Sequence, residues 1–462
     1  MKIHSSIFSL IIVSFLIAGS LLSGGCAQIG LPTGGVKDTL APILIRSNPT
    51  IGSKNVITNK ITLEFDEYID VQDLQQNLLI SPLQNKNPSI IANSRSITLR
   101  FRDSLLPNTT YNINFGNAVR DINENNILKN LSYVFSTGNS LDSLTLNGNV
   151  ILAETGAYDS TLLVLLYRNA VDSTVKTKKP NYIAKVNSDG SFKFTNLPAS
   201  TFKIYALKDG DGGKTYNSLS EVFGFTNEDV STLNNEEISL LAYAEKLEKD
   251  NKTSVATKIV PDKKLRIGNN VQGSKDLLEP LELSFNNALK IFDTNKIALT
   301  DTFYNKIKPI RFSRDSTSKK ITITTNWQPD MPLILVIDKD AFEDSAGNKL
   351  TKTDTVRFRT RRTEDYGKLI LRFNNIDLTK NPVMQFIVGD QVKYSYPITG
   401  AEYNNTRFPP GEYGVRILYD KDKNGKWTPG GYSKKLQPEI VVVLPQTLSV
   451  RADWENEREI NL

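Results

Sequence analysis

The chain has 462 residues, 39% hydrophobic and 23% charged, with a formal net charge of +6 from 56 basic and 50 acidic side chains. That balance excludes a disordered chain, and the interleaving of the two signs excludes a nucleic-acid-binding stripe. The single His and single Cys, His4 and Cys26, both precede the expected folded body, which excludes structural disulfides, Cys/His zinc sites, Ser-His-Asp triads and His general bases.

In chain order, residues 1–25 predict a secretory leader. Lys2 supplies the positive start, and Ile7 to Leu22 is apolar apart from Ser9, Ser14, Gly19 and Ser20. Ser23-Gly24-Gly25 then precedes Cys26. The apolar core is too short for a spanning helix and ends in small residues suited to cleavage. Small residues before a Cys resemble the bacterial lipobox, which implies that Cys26 carries palmitate-type acyl chains. The alternative is a plain cleaved signal with an incidental Cys. Residues 26–41 are punctuated by Gly and Pro and predict a tether. Pro-Thr-Gly-Gly followed by Lys-Asp resembles the tether of Ig-like lipoproteins of the Bacteroidota. The resemblance implies outer-membrane anchoring, with the periplasmic face and the cell surface both open.

Period-2 patterns dominate from Pro42 onward. Ile61 to Phe65, Ile97 to Phe101 and Tyr111 to Phe115 alternate apolar and polar, as strands with one buried face do. The order recurs in Leu281 to Phe285, Ile321 to Thr325, Leu333 to Ile337 and Val356 to Thr360. Phe65, Pro107, Asp121, Asn125 and Phe135 align with Phe285, Pro329, Asp344, Asn348 and Phe358, the mark of a duplicated unit. A second kind of unit also repeats. Leu197, Pro198, Phe202, Ile204, Asp209, Asp211 and Tyr216 align with Phe408, Pro409, Tyr413, Val415, Asp420, Asp422 and Trp427. The reading is all-β: tandem β-sandwiches in the order A–B–A′–B′ over 42–138, 139–250, 251–362 and 363–462. Phe-Asp-Glu-Tyr-Ile, Leu-Pro-Asn-Thr-Thr-Tyr and Phe-Ser-Thr-Gly resemble the bacterial Ig-like domains of surface-layer and envelope proteins. Asp189 to Pro198 resembles the transthyretin-like or collagen-adhesin B-type sandwich. Glu236 to Lys249 reads either as one short helix or as a strand, Ile238 to Tyr243, before a charged linker. The strand is preferred, because the last unit also ends in strands.

Candidate chemistry is sparse. Asp420-Lys-Asp-Lys-Asn-Gly425 has the alternating oxygen ligands and Gly of a calcium loop, with Asp420, Asp422 and Asn424 as ligands to Ca²⁺. Gly431 stands where the closing Glu belongs, and a tight turn capped by Asp and Asn side chains explains the same residues. No other cofactor is expected. Glu64 with Asp66, and Asp338 with Asp340, read as solvated carboxylates rather than a glycosidase pair. Trp327, Tyr394, Tyr396, Trp427 and Trp454 are either core plugs or a sugar-stacking platform. The tripeptide of Asp, then Ser or Thr, then a small or aliphatic residue resembles the O-glycosylation acceptor of Bacteroidota envelope proteins. It makes Thr39, Ser104, Ser143, Ser160, Ser173, Ser316, Ser345 and Thr355 candidate acceptors; Asp-Ser/Thr is also common in turns.

The functional expectation is non-enzymatic: a lipid-anchored envelope scaffold or interaction module, held to the membrane by acyl chains and touching other outer-membrane proteins as an accessory subunit. The alternative is a surface carbohydrate-binding lipoprotein. Nucleic acid is not expected as a partner.

Overall fold

The computed structural model describes Val13 and residues 37–234, 236–246, 264–271 and 273–462. Cys26, the leader apart from Val13 and most of the tether lie outside the described residues, as does most of the charged linker after Glu245. The chain forms two compact units, Met1–Leu141 and Asp142–Leu462. From residue 37 onward, helix among the described residues is confined to single turns, and the all-β tandem-sandwich expectation holds.

In the first unit, Lys60–Phe65 puts Ile61, Leu63 and Phe65 on its buried face. Leu63 lies opposite Ile97 and Ile61 opposite Leu99, in a four-stranded sheet with Leu44–Asn48 and Ser89–Asn93 at its edges. The facing sheet, Leu79–Ser81, Thr110–Gly116 and Leu131–Ser136, supplies Tyr111, Ile113, Phe115, Tyr133 and Phe135. Tyr111 stacks on Phe135 with ring centroids 5.2 Å apart. A ribbon of Ile69–Val71 with Val119–Asp121 closes the sandwich. Two faces of alternating apolar residues bury each other because neither can be left in water.

The second unit contains three further cores. The sandwich over 265–366 repeats the first: Ile267–Asn269, Leu281–Phe285, Lys320–Thr324 and Arg311–Arg314 form the same four-stranded order. Ile297–Thr300, Pro332–Ile337 and Asp354–Thr360 form the facing sheet, extended by the short Ser274–Lys275 parallel to Asp354–Thr360, with Leu289–Phe292 and Phe342–Asp344 as the ribbon. Phe65 and Phe285 occupy one position: each is buried, each faces the first strand (Leu44, Ile267), and each N–H donates to the turn before the third strand (Arg95 O and Lys319 O, both 2.8 Å).

The remaining two sandwiches, residues 144–243 and 367–462, share another topology. In each, a long strand (Leu144–Leu152; Gly367–Asn374) pairs antiparallel with one neighbour and parallel with the last strand of the unit (Ile238–Ala242; Glu455–Asn461). Ile238–Ala242 is therefore a strand, as preferred; its buried Ile238, Leu240 and Ala242 alternate with Ser239 and Leu241. The parallel pair closes tightly at Gly148, where a Cβ would stand 1.9 Å from Ile238 O. The facing sheet is built on Thr201–Leu207 in one copy and Gly411–Tyr419 in the other. Phe202 and Tyr413 match as expected: both are buried, and each lies opposite a short extra strand at Val230 or Leu448.

Candidate functional site

The acidic loop follows Gly411–Tyr419. Asp420 is buried, and its carboxylate accepts the N–H of Asn424 (3.2 Å) and of Gly425 (2.7 Å). Gly425 sits at φ 75°, a conformation glycine adopts without strain. Asp422 is exposed and accepts Thr428 Oγ1 at 2.8 Å and Asn424 N–H at 3.1 Å; the Thr428 bond, with further help from Asn424, holds its carboxyl below the usual carboxylate range. Asn424 serves the turn, with its Oδ1 accepting Lys426 N–H at 2.6 Å. The third carboxylate of the cluster is Glu439, which the sequence reading missed. Oxygens of Asp420, Asp422 and Glu439 lie within 4.8 Å of one another. Glu439 is buried and accepts Lys421 N–H (2.6 Å) and Thr428 N–H (2.9 Å). Three carboxylates at this spacing could contribute part of the six to eight oxygens that calcium takes, yet backbone amides already engage all three.

That use of charge is general. Asp121, Asp344, Asp420 and Glu439 are the buried carboxylates among the described residues. Asp121 accepts three successive N–H groups, of Glu124 (2.6 Å), Asn125 (3.0 Å) and Asn126 (2.9 Å). Burial works to raise its pKa, and these hydrogen bonds outweigh burial and lower it. Asp344, its counterpart, accepts the N–H of Ala346 and Asn348 and the side-chain amides of Asn287 and Asn348. The outcome is the same: burial is opposed and outweighed, and the pKa falls. Each of these acids ties down a turn. Glu64 pairs with exposed Arg46, and Asp340 with Lys349.

The least anticipated feature is a joint between the two like sandwiches of the second unit. On the sheet built on Thr201–Leu207, the outer face carries Leu165, Tyr167, Tyr205 and Leu207, all buried. What helps cover it is Tyr432, from a one-turn 3₁₀ helix Tyr432–Lys434 in the other sandwich. The Tyr432 ring lies 5.1 Å from Phe223 and from Phe225, and 5.8 Å from Tyr205, centroid to centroid. Its hydroxyl donates to Asp172 O (2.7 Å) and stands 2.9 Å from the Tyr205 hydroxyl, which then donates to it. Its N–H donates to Glu245, which also accepts the Tyr216 hydroxyl. Lys435 lies over the Tyr432 ring at 4.5 Å and pairs with Asp172 at 3.0 Å. Burial drives the Tyr205 hydroxyl far above the ordinary tyrosine range, with the Tyr432 bond adding to it. Elsewhere on the joint Arg416, buried, donates to Glu154 O and to Gln385 Oε1. Offset and edge-to-face rings with satisfied hydroxyls make a specific contact, not a greasy one.

The remaining candidates are scattered. Thr39, Ser104, Ser143, Ser160, Ser173, Ser316 and Ser345 are exposed on loops and turns, whereas Thr355 is half-buried in a strand opposite Val336. Trp327 is buried with the Lys275 ammonium 4.9 Å from its ring, and Tyr394 and Tyr396 pack on a core. Trp427 is half-buried and donates to Glu439 O, leaving Trp454 as the exposed member of the five. They do not form one platform. No helix among the described residues is long and apolar enough to cross a membrane.

No curated protein matches the chain. Solved structures with similarity include native alpha-2-macroglobulin from Escherichia coli spanning domains MG0-NIE-MG1 (14% identity, 39% of this chain and 72% of that one, TM-score 0.20). Others are the N-terminal part of the bacterial S-layer protein SbsC (16%, 44% of each chain, TM-score 0.17) and BcpA, the major pilin subunit of Bacillus cereus (8%, 69% and 99%, TM-score 0.18). The sandwich of the first unit, with Phe65 in its core and Asp121 holding its turn, is the part that a family model covers: residues 38–137 match the Bacterial Ig-like domain.

Proposed function

We propose that the chain is a lipid-anchored envelope protein that acts as a non-enzymatic scaffold or interaction module at the outer membrane, as an accessory subunit of a larger assembly. The observation that carries this reading is the fate of the buried acids. Asp121, Asp344, Asp420 and Glu439 all accept backbone amides, which rigidifies loops, and even where Asp420, Asp422 and Glu439 come together their carboxylates hold the turn. The sandwiches have open sheet edges, the places at which other chains add strands. The match to an Ig-like domain supports the same reading. Anchoring rests on Cys26 and the leader before it. Acylation there would hold the chain firmly, since each buried CH₂ contributes about 0.8 kcal/mol.

The test has two arms. Cys26→Ala should move the protein out of the membrane fraction or leave it unprocessed; unchanged membrane association ends the lipoprotein reading. Cross-linking in intact cells should join the wild-type protein to other envelope proteins, and a protein that cross-links to nothing is no scaffold.

A further inference from the structure

Arg311–Arg314 is the last strand of its sheet, bonded to Lys320–Thr324 on one side only. Among the described residues no other backbone bond reaches it, which leaves its outer N–H and C=O groups without a strand partner. Arg311, Ser313 and Arg314 are exposed, while Phe312 packs on the core. Lys306 and Lys308, in the connection leading into the strand, are exposed too. Among the described residues none of Lys306, Lys308, Arg311 and Arg314 takes part in a salt bridge. The nearby acids are turned inward to their own turns. Asp301 accepts the N–H of Phe303 and Asn305, and Asp315 that of Lys319 and Lys320. The Asp301 turn projects two aromatics into water, Phe303 at 84% exposure and Tyr304 at 59%. The matching edge of the first unit, Ser89–Asn93, reads Ser-Ile-Ile-Ala-Asn and carries no charge.

We propose that the edge Arg311–Arg314, with Lys306, Lys308, Phe303 and Tyr304 beside it in the chain, takes an extended acidic segment of a partner protein as an added β-strand. The inference rests on the interaction-module reading and assigns that module's docking edge. A free edge supplies the hydrogen-bond ladder, and unpaired cations select a segment rich in Asp and Glu. Cations on an edge also ward off other copies of the same edge. A guard alone would not leave a Phe and a Tyr exposed beside it, whereas aromatic and Arg side chains are the usual anchors of an interface. An acidic polysaccharide would meet the cations but could not pair with the backbone.

The full mature chain is titrated with a fluorescent ten-residue peptide of alternating Glu and Val, and with the same peptide N-methylated at alternate residues. Binding of the first, weakening as salt rises, is expected, with a loss of about tenfold on N-methylation and about tenfold for R311E/R314E, each exposed pair being worth a few-fold. Both arginines are exposed, so the variant's melting midpoint should match wild type; R311A/R314A provides the milder change. Equal binding of the N-methylated peptide, tighter binding of polygalacturonate than of the peptide, or no binding of the peptide would each overturn the proposal. The cross-linking arm separates this failure from that of the broader reading: R311E/R314E that keeps every envelope cross-link defeats the edge and leaves the module standing, while a wild-type chain with no cross-links defeats the module itself.

Discussion

The sandwiches over 144–243 and 367–462 have the same strands in the same order, but they differ in their loops, and one of these makes the joint. After Thr201–Leu207 the chain passes through Asp209 and Asp211, whose carboxylates accept local N–H groups of Lys214 and Gly213, and returns at Phe223–Phe225. After Gly411–Tyr419 the corresponding loop is longer, is braced by the buried Glu439, and carries Tyr432 out to the other sandwich before returning at Val441–Val443. Duplication preserved what the cores require and left the loop free to change. One copy became the socket and the other the plug. Loops tolerate insertion because they bury little, so new contacts arise there first.

The comparison breaks most severely in the cores. If Phe202 and Tyr413 hold one position, Phe202→Ala and Tyr413→Ala should each cost about 3–5 kcal/mol and unfold the altered sandwich first. Hydrogen exchange resolved by strand would show which sandwich opens. Equal loss of protection in residues 42–138 would contradict separate cores. A smaller effect is expected at the plug. Tyr432→Ala should leave both cores folded and cost about 2–3 kcal/mol of docking, read as faster exchange at Phe223 and Phe225. Tyr432→Phe keeps the ring and removes a hydroxyl that Tyr205 and Asp172 use, at about 1–2 kcal/mol. If exchange at Phe225 were unchanged in both variants, the contact would be incidental. The smallest effect concerns the brace. Glu439→Gln should lower the melting midpoint by only a few degrees, corresponding to about 1 kcal/mol lost from the turn. With the amides already satisfying the carboxylates, EDTA should leave the wild-type midpoint in place. A midpoint that falls with EDTA and recovers with calcium would instead make Asp420, Asp422 and Glu439 metal ligands, since a ligand bound only by the native state stabilises it.

Much of the fold was legible because strand burial has a period of two. Ile61, Leu63 and Phe65 announce a buried face without help from the rest of the chain, and the aligned Leu281, Leu283 and Phe285 announce its copy. Ile238 to Ala242 was harder, since its residues also suit a helix; the parallel pairing with Gly148 to Leu152 decided it. The acidic loop was half legible. Asp420 and Asp422 stand out locally, but Glu439 arrives only because the returning strand Val441–Val443 pairs with Arg416–Leu418. Its distance along the chain matches no calcium-loop spacing. Tyr432 gave no signal, because the residues that bury it belong to another sandwich, and local periodicity cannot report a distant partner. Thr355 shows how little a three-residue motif says of its setting, since it lies in a strand whereas the other seven candidates lie on loops and turns.

The bond between the Tyr205 and Tyr432 hydroxyls spans 227 residues of sequence. Synthesis proceeds from the N-terminus, so the socket of Tyr205, Phe223 and Phe225 is finished long before its plug exists. An entire sandwich, residues 265–366, must emerge in between. During that interval the sheet presents a wet aromatic face that the native state hides, and contacts this distant in sequence form slowly. A second sandwich that folds before the Tyr432 loop arrives would expose that aromatic face. Any factor that shields newly made chains should hold this one longest at Phe223–Phe225, and release should coincide with arrival of the Tyr432 loop.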